Sequence, residues 1–357
     1  MATSPPFTPG YKSPRLRIFM LLLVPAVLAG SAGAFFYVQA SKTTDADYTA
    51  LVGDYVARFG PRTSLDVGYT DADGDLIADL PQDKAAWLDP KEIVFSGIVF
   101  DASEKSQAVW KSLMDHLAKE TGRKVTFASE MGGVDEQMEA LKAGKLHVTA
   151  FATGSVPAAV NSAGFIPLVA PADEAGKFAY QMEIIVPASS VIQNPSELRG
   201  RKVTFSSMSS NAGMKAPTYF LSEKFGLQFG KDYAFHLSGS YDRSLEGIAS
   251  GKFTAAPIAN DFLRRAVARG TIEISKYRSI YKSDDFPPLC FGHPHHLTPE
   301  LATKVRDGLL SFSWKGTAVE TEYAPAGLAK FVPVDYKRDW ALVRTVDEGM
   351  LKLAKQR

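Results

Sequence analysis

Between Lys202 and Pro217 the chain reads KVTFSSMSSNAGMKAP, a stretch whose hydroxyls and amide are grouped where they could hold an anion. Val203 to Phe205 has strand character. Ser206, Ser207, Ser209, Ser210 and Asn211 follow it, then Ala212 and Gly213, then a helical pattern. A strand entering a helix through small polar residues leaves the first helical N–H groups unpaired and converging, with short hydroxyl donors beside them. Such a turn is an oxyanion cradle. The same residues satisfy a second reading, in which Ser210 or Asn211 caps the helix and does nothing more.

A second constellation is acidic. In TDADGDLIAD, Asp71, Asp73, Asp75 and Asp79 alternate around Gly74, which permits a tight turn. Carboxylates spaced this way can converge on one hard cation, and Ca²⁺ with its many oxygen ligands suits them. The stretch resembles the Asp-rich calcium loops of thrombospondin type 3 and dockerin repeats, but it occurs once and has Gln82 where a bidentate Glu would complete the set. A Ca²⁺ loop and a solvated acidic turn are the two expectations. His293, His295 and His296, in a Pro-broken HPHH, are expected in an exposed loop rather than at a metal. His116 and His147 stand alone as ordinary histidines, and Cys290 reads as a small core residue. No GxxxxGKS/T, HExxH, GxSxG or Cys/His nucleophile pair occurs, so the chain is expected not to be an enzyme and to need no cofactor, and any ATPase belongs to another chain.

These residues need a scaffold, and 357 residues can supply a membrane segment and two ordinary domains. Hydrophobic residues make up 45% and charged residues 22%, as in a normal globular core. With 40 basic against 39 acidic residues there is no global field to attract nucleic acid, so anion affinity must be local. The run from Ile18 to Ala40 carries no charge and is long enough for a helix to cross about 30 Å of hydrocarbon. Lys12, Arg15 and Arg17 precede it and Asp45 and Asp47 follow. The positive-inside rule then makes residues 1–17 a cytoplasmic tail, 18–40 a single-pass signal anchor in the cytoplasmic membrane, and the rest external or periplasmic. A cleaved signal peptide is the competing reading. Residues 41–90 form a membrane-proximal segment, with a short amphipathic helix through Tyr48, Leu51, Val52 and Tyr55.

Beyond Pro90 the pattern alternates. Strands are expected at 92–100, 125–127, 147–151, 165–169, 179–186, 202–205, 233–237 and 253–258. Helices fall between them, several ended by glycine (Gly122, Gly144, Gly226, Gly270), and the chain closes on a helix over 336–355. This indicates an α/β fold with mostly parallel sheets.

From about Glu92 to Asp347 the chain resembles the substrate-binding proteins of phosphate, phosphite and phosphonate ABC importers. The matching stretches are VDEQMEALKAGKLH from Val134, Tyr180 to Val186 followed by PSELRGRKV from Pro195, the cradle ending in Gly213 and Pro217, GSYDRSLEGIASGKFTAA from Gly239, and IYKSDDFPP from Ile280. The resemblance implies the two-lobed type II periplasmic-binding-protein fold with a ligand cleft between the lobes. Residues 91–182 plus 285–357 would form one lobe and 183–284 the other.

The family's Ser-Thr-Ser-Gly-Tyr cradle corresponds here to Ser210, Asn211, Ala212, Gly213 and Met214. Its Ser-His-Asp becomes Ser240-Tyr241-Asp242, its cleft aromatic is matched by Tyr180, and its Val-Asp-Ser-Asp loop is Ile258-Ala259-Asn260-Asp261. The ligand-binding set implied is thus Ser207, Ser210, Asn211, Ala212, Gly213, Tyr180, Tyr241, Asn260 and Asp261. The expected function is capture of a phosphate-, phosphite- or phosphonate-like oxyanion outside the cytoplasmic membrane and its delivery to an ABC permease served by a separate ATPase chain. A membrane-tethered sensory or interaction module on the same fold is the alternative.

Overall fold

The computed structural model describes residues 63–98, 104–129 and 133–355. The expected cytoplasmic tail, signal anchor and helix near Leu51 lie outside these residues. Among the described residues no helix is long and apolar enough to cross a membrane.

The first sheet is built from β1 (Glu92–Ser96), β2 (Lys124–Phe127), β3 (Val148–Phe151), β4 (Phe165–Ala172), β10 (Cys290–Pro294) and β11 (Lys330–Pro333), in the order β11-β4-β10-β3-β1-β2. All four residues of β3 are buried, as expected of a central strand covered on both faces. Helices α1 (Glu104–Thr121), α2 (Val134–Lys142) and α3 (Val156–Ala163) follow the first three strands, and α7 (Pro299–Ser311) packs on α1. The core between them holds Ile93, Phe95, Trp110, Leu113, Phe291 and Trp314. Trp110 lies so close to the backbone that a Cβ on Gly97 would come within 2.4 Å of its Nε1.

The second lobe contains β5 (Tyr180–Pro187), β6 (Lys202–Phe205), β7 (Ala234–Leu237), β8 (Ala256–Ala259) and β9 (Tyr277–Phe286), with α4 (Ala216–Phe225), α5 (Tyr241–Ala249) and α6 (Asn260–Ala268). β5 lies between β8 and β9, and β6 pairs with β7. A bridge from Val203 to Ala255 joins the two groups. The long strands β5 and β9 run antiparallel, from Tyr180 opposite Phe286 to Pro187 opposite Tyr277, and carry the chain out of the first sheet and back.

The sheets are mixed, which corrects the expectation of mostly parallel pairing. Among the described residues three strand pairs are parallel (β1–β2, β1–β3, β6–β7) and five antiparallel. β5 and β10 each enter their sheet from a strand of the other sheet, through loops without a helix, and run against their neighbours there.

The C-terminal helices are α8 (Ala318–Tyr323), α9 (Tyr336–Asp339) and α10 (Ala341–Lys355). α10, read from sequence with the first lobe, packs on α4 and on the cradle of the second. Residues 63–90 are strapped onto the first lobe: Asp66 N–H donates to Asn161 O, Leu88 N–H to His296 O, and Thr298 N–H returns to Leu88 O.

The histidine expectation is also corrected. His293 is not in an exposed loop but in β10, 6% exposed, opposite Ile166 of β4, because the pairing continues past a bulge at Phe291/Gly292. His295 packs edge-on against Tyr69, and its Nδ1 lies 3.3 Å from that of His296.

Candidate functional site

The ends of strands from both lobes meet at one cavity of about 250 Å³. Ligands of open α/β sheets lie outside the carboxyl ends of strands, and this cavity follows that rule. Ile98 follows β1, Ala152 and Thr153 follow β3, Ser206 and Ser207 follow β6, and Ser240 follows β7.

The cradle is a π-helical turn, Asn211–Lys215, continuous with α4. Turns of this kind recur at functional sites because the wider winding redirects side chains. Ser210 stands before it in extended conformation, and its Oγ accepts the Gly213 N–H at 3.0 Å, so it caps the turn. The same Oγ lies 2.9 Å from the Tyr241 hydroxyl. A serine hydroxyl has two acceptor positions and one proton. Gly213 N–H fills one acceptor position, and whichever of the Ser210 and Tyr241 hydroxyls donates to the other, the pair keeps one O–H to offer the cavity. Asn211 Nδ2 donates to the Tyr180 hydroxyl at 2.9 Å, while Asn211 Oδ1 and Ser206 Oγ are buried with no partner. Burial holds both phenols far above the ordinary tyrosine range, for Tyr241 reinforced by Tyr180 beside it, so both are neutral donors.

Of the residues expected to bind, Tyr180, Ser207, Ser210, Asn211, Ala212, Tyr241 and Asp261 line the cavity. Gly213 and Asn260 do not. Gly213 sits behind the wall, where a Cβ would meet Ser206 Oγ at 1.9 Å and Ser210 Oγ at 2.7 Å. Asn260 Oδ1 accepts the Gln181 N–H at 3.0 Å and ties α6 to β5. Asp261 lines the cavity with no hydrogen-bond donor against it among the described residues, and its Oδ1 is buried without a partner.

Sequence reasoning missed Ile98, Thr153, Leu289 and Arg265, which also line it. Arg265 lies one helical turn beyond Asp261, a spacing that could have found it. Its Nη1 reaches Glu322 of α8 at 2.8 Å, and its guanidinium packs 5.3 Å from the Phe262 ring centre and 4.9 Å from that of Tyr323. Lys215, within the cradle turn itself, donates to Gly154 O and to Asp347 Oδ1, both at 2.6 Å. This ion pair is buried on both sides, and burial raises the Asp347 carboxyl above its usual range despite the lysine.

In the acidic loop, one carboxylate oxygen from each of Asp71, Asp73 and Asp75 falls within 4.8 Å of the others. Asp79 turns instead to the Ala72 N–H, and Asp71, Asp73 and Asp75 also accept N–H groups of their own loop. Partial burial, then Asp73 and Asp71, hold the Asp75 carboxyl above the usual range.

A family model described as the periplasmic substrate-binding protein of a phosphonate ABC transporter matches residues 95–340. The phosphate-import protein PhnD of Mycolicibacterium smegmatis is 28% identical over 241 residues, 64% of this chain and 74% of that protein. Among solved structures, PhnD1 from Prochlorococcus marinus in complex with methylphosphonate has a TM-score of 0.62 at 15% identity, covering 74% of this chain and 100% of that one. A binding protein component of an ABC phosphonate transporter from Pseudomonas aeruginosa has a TM-score of 0.59 at 16% identity, covering 75% and 98%. At these identities the solved structures speak for the fold.

Proposed function

The chain belongs to the periplasmic substrate-binding proteins of phosphonate ABC transporters, and from that premise we propose that the cavity at the Ser210 cradle is where it takes up its oxyanion. The observation that carries this reading is the hydrogen bond between the Ser210 and Tyr241 hydroxyls, with Gly213 N–H on Ser210 Oγ, which leaves that pair one O–H for a ligand. Ser207, Asn211 and the neutral Tyr180 line the cavity beside this pair as further donors, and no step of chemistry is needed. Asp261 sets a condition on the anion. Asp261, with Arg265 beside it, can accept a hydrogen bond from an anion that retains a P–OH, so a protonated phosphorus oxyanion fits the site best. Sulfate, with no such proton at neutral pH, is refused.

The permease that receives the ligand and the ATPase that drives it are separate chains. Residues 18–40 tether the periplasmic lobes to the membrane.

Calorimetry of the full-length chain with phosphate, methylphosphonate and sulfate tests the site. Binding of a phosphorus oxyanion but not of sulfate is expected. Hydrogen bonds to charged groups contribute about 1.5–3 kcal/mol, so Ser210→Ala should weaken binding roughly tenfold or more. A lowered melting temperature with unchanged affinity would reduce Ser210 to a helix cap.

A further inference from the structure

The cavity has two unlike walls. The second lobe presents mostly polar groups, Ser207, Ser210, Asn211, Tyr241, Asp261 and Arg265 among them, beside the apolar Ala212, Ala259 and Phe262. The first lobe presents Ile98, Ala152, Pro288 and Leu289, with Thr153 its one polar side chain among the described residues. Thr153 does not offer its hydroxyl to the cavity as a free donor, because its Oγ1 donates to Pro287 O at 2.7 Å. Backbone carbonyls at this wall are acceptors and offer an oxyanion no donor. Trp340 Nε1 donates to Thr153 O, Lys215 Nζ to Gly154 O, and the buried Gln137 amide to Gly97 O and Ala150 O. On the flank between the walls, Phe262 packs 5.0 Å from the Tyr241 ring.

A tetrahedral oxyanion with oxygen at every corner fits such a space badly. The corners toward the cradle find donors. The corner toward Ile98 and Leu289 loses water and meets hydrocarbon, which is unfavourable for a charged oxygen. A carbon at that corner reverses the sign, since its burial removes apolar surface from water.

Resting on the oxyanion site assigned above, we propose that the substrate is a phosphonate bearing an apolar substituent larger than methyl, a short alkyl chain or a phenyl ring, and that inorganic phosphate is a poor ligand. The phosphonate oxygens face the cradle of the second lobe and the substituent lies against Ile98 and Leu289 of the first.

Isothermal titration of the full-length chain with inorganic phosphate, methylphosphonate, propylphosphonate and phenylphosphonate tests this. Affinity should rise by roughly fourfold for each methylene from methyl to propyl, with phosphate the weakest of the four. Phosphate binding as tightly as methylphosphonate, or propyl binding more weakly than methyl, overturns the proposal and leaves the oxyanion site standing. Binding of none of the four removes the site and the proposal together. In Ile98→Thr, which keeps the branched shape and adds a hydroxyl, the propyl-over-methyl ratio should fall to about threefold or less. An unchanged ratio places the substituent elsewhere and also overturns the assignment.

Discussion

At Gly213 a side chain has nowhere to go. The obstruction is the pair of hydroxyls from Ser206 and Ser210, and not an unusual backbone angle, since Gly213 has no positive φ. Gly213→Val should therefore push Ser210 off its place and destabilise the fold by about 1–3 kcal/mol, read as a lower urea midpoint. A midpoint equal to that of the unaltered chain would mean the turn relaxes freely. From the sequence this glycine is expected where backbone meets oxyanion, whereas the structure fills that place with the protein's own hydroxyls. Ser207, Ser210 and Asn211 stand out locally as small polar residues after a strand, whereas Tyr180, Tyr241 and Asp261 enter only through the family resemblance. Ile98 and Leu289 were not legible, since an apolar residue in the cavity wall reads the same as one in the core.

Among the elements, β10 and the strap over residues 63–90 bring His293, His295 and His296 together at one place. Burial holds His293 and His295 down to about 4, with the charges of the neighbouring imidazoles adding to the effect, and lowers His296 as well. These folded-state values lie below the unfolded value of about 6.5, so the unfolded chain binds protons that the folded chain refuses. Stability is present in full above about pH 6.5 and is lost as the pH falls toward 4. His293 alone should account for a loss on the order of 3 kcal/mol. Denaturant midpoints between pH 7 and 5 check this, before most carboxylates titrate, and His293→Asn should flatten the slope; a flat profile in the unaltered chain would contradict it. β10 itself escaped sequence reasoning because five residues containing His and Pro carry no alternation. β9 escaped because its charged residues Lys282, Asp284 and Asp285 are exposed along one edge.

Over the whole molecule the two lobes are tied by charge on either side of the cavity. Arg265 reaches across to Glu322, and Lys215 joins the cradle to Gly154 of the first lobe and to Asp347 of α10. Removing one partner of a buried pair leaves the other uncompensated, at about 3–5 kcal/mol. Asp347→Asn should lower the melting temperature accordingly and weaken oxyanion binding with it. An unchanged melting temperature would mean that Lys215 finds water once the carboxylate is gone. None of this was legible from local pattern, because Lys215 and Asp347 lie 132 residues apart.

The attachment of α10 to the cradle makes the last helix a place from which the binding event can be watched. Glu348 is exposed and adjoins Asp347, and the chain's single cysteine, Cys290, is buried. A Glu348→Cys variant thus offers a thiol reagent one accessible target. A dye fixed there rides on the helix that grips Lys215, and its emission becomes an optical gauge of cradle occupancy without a label anywhere near the ligand.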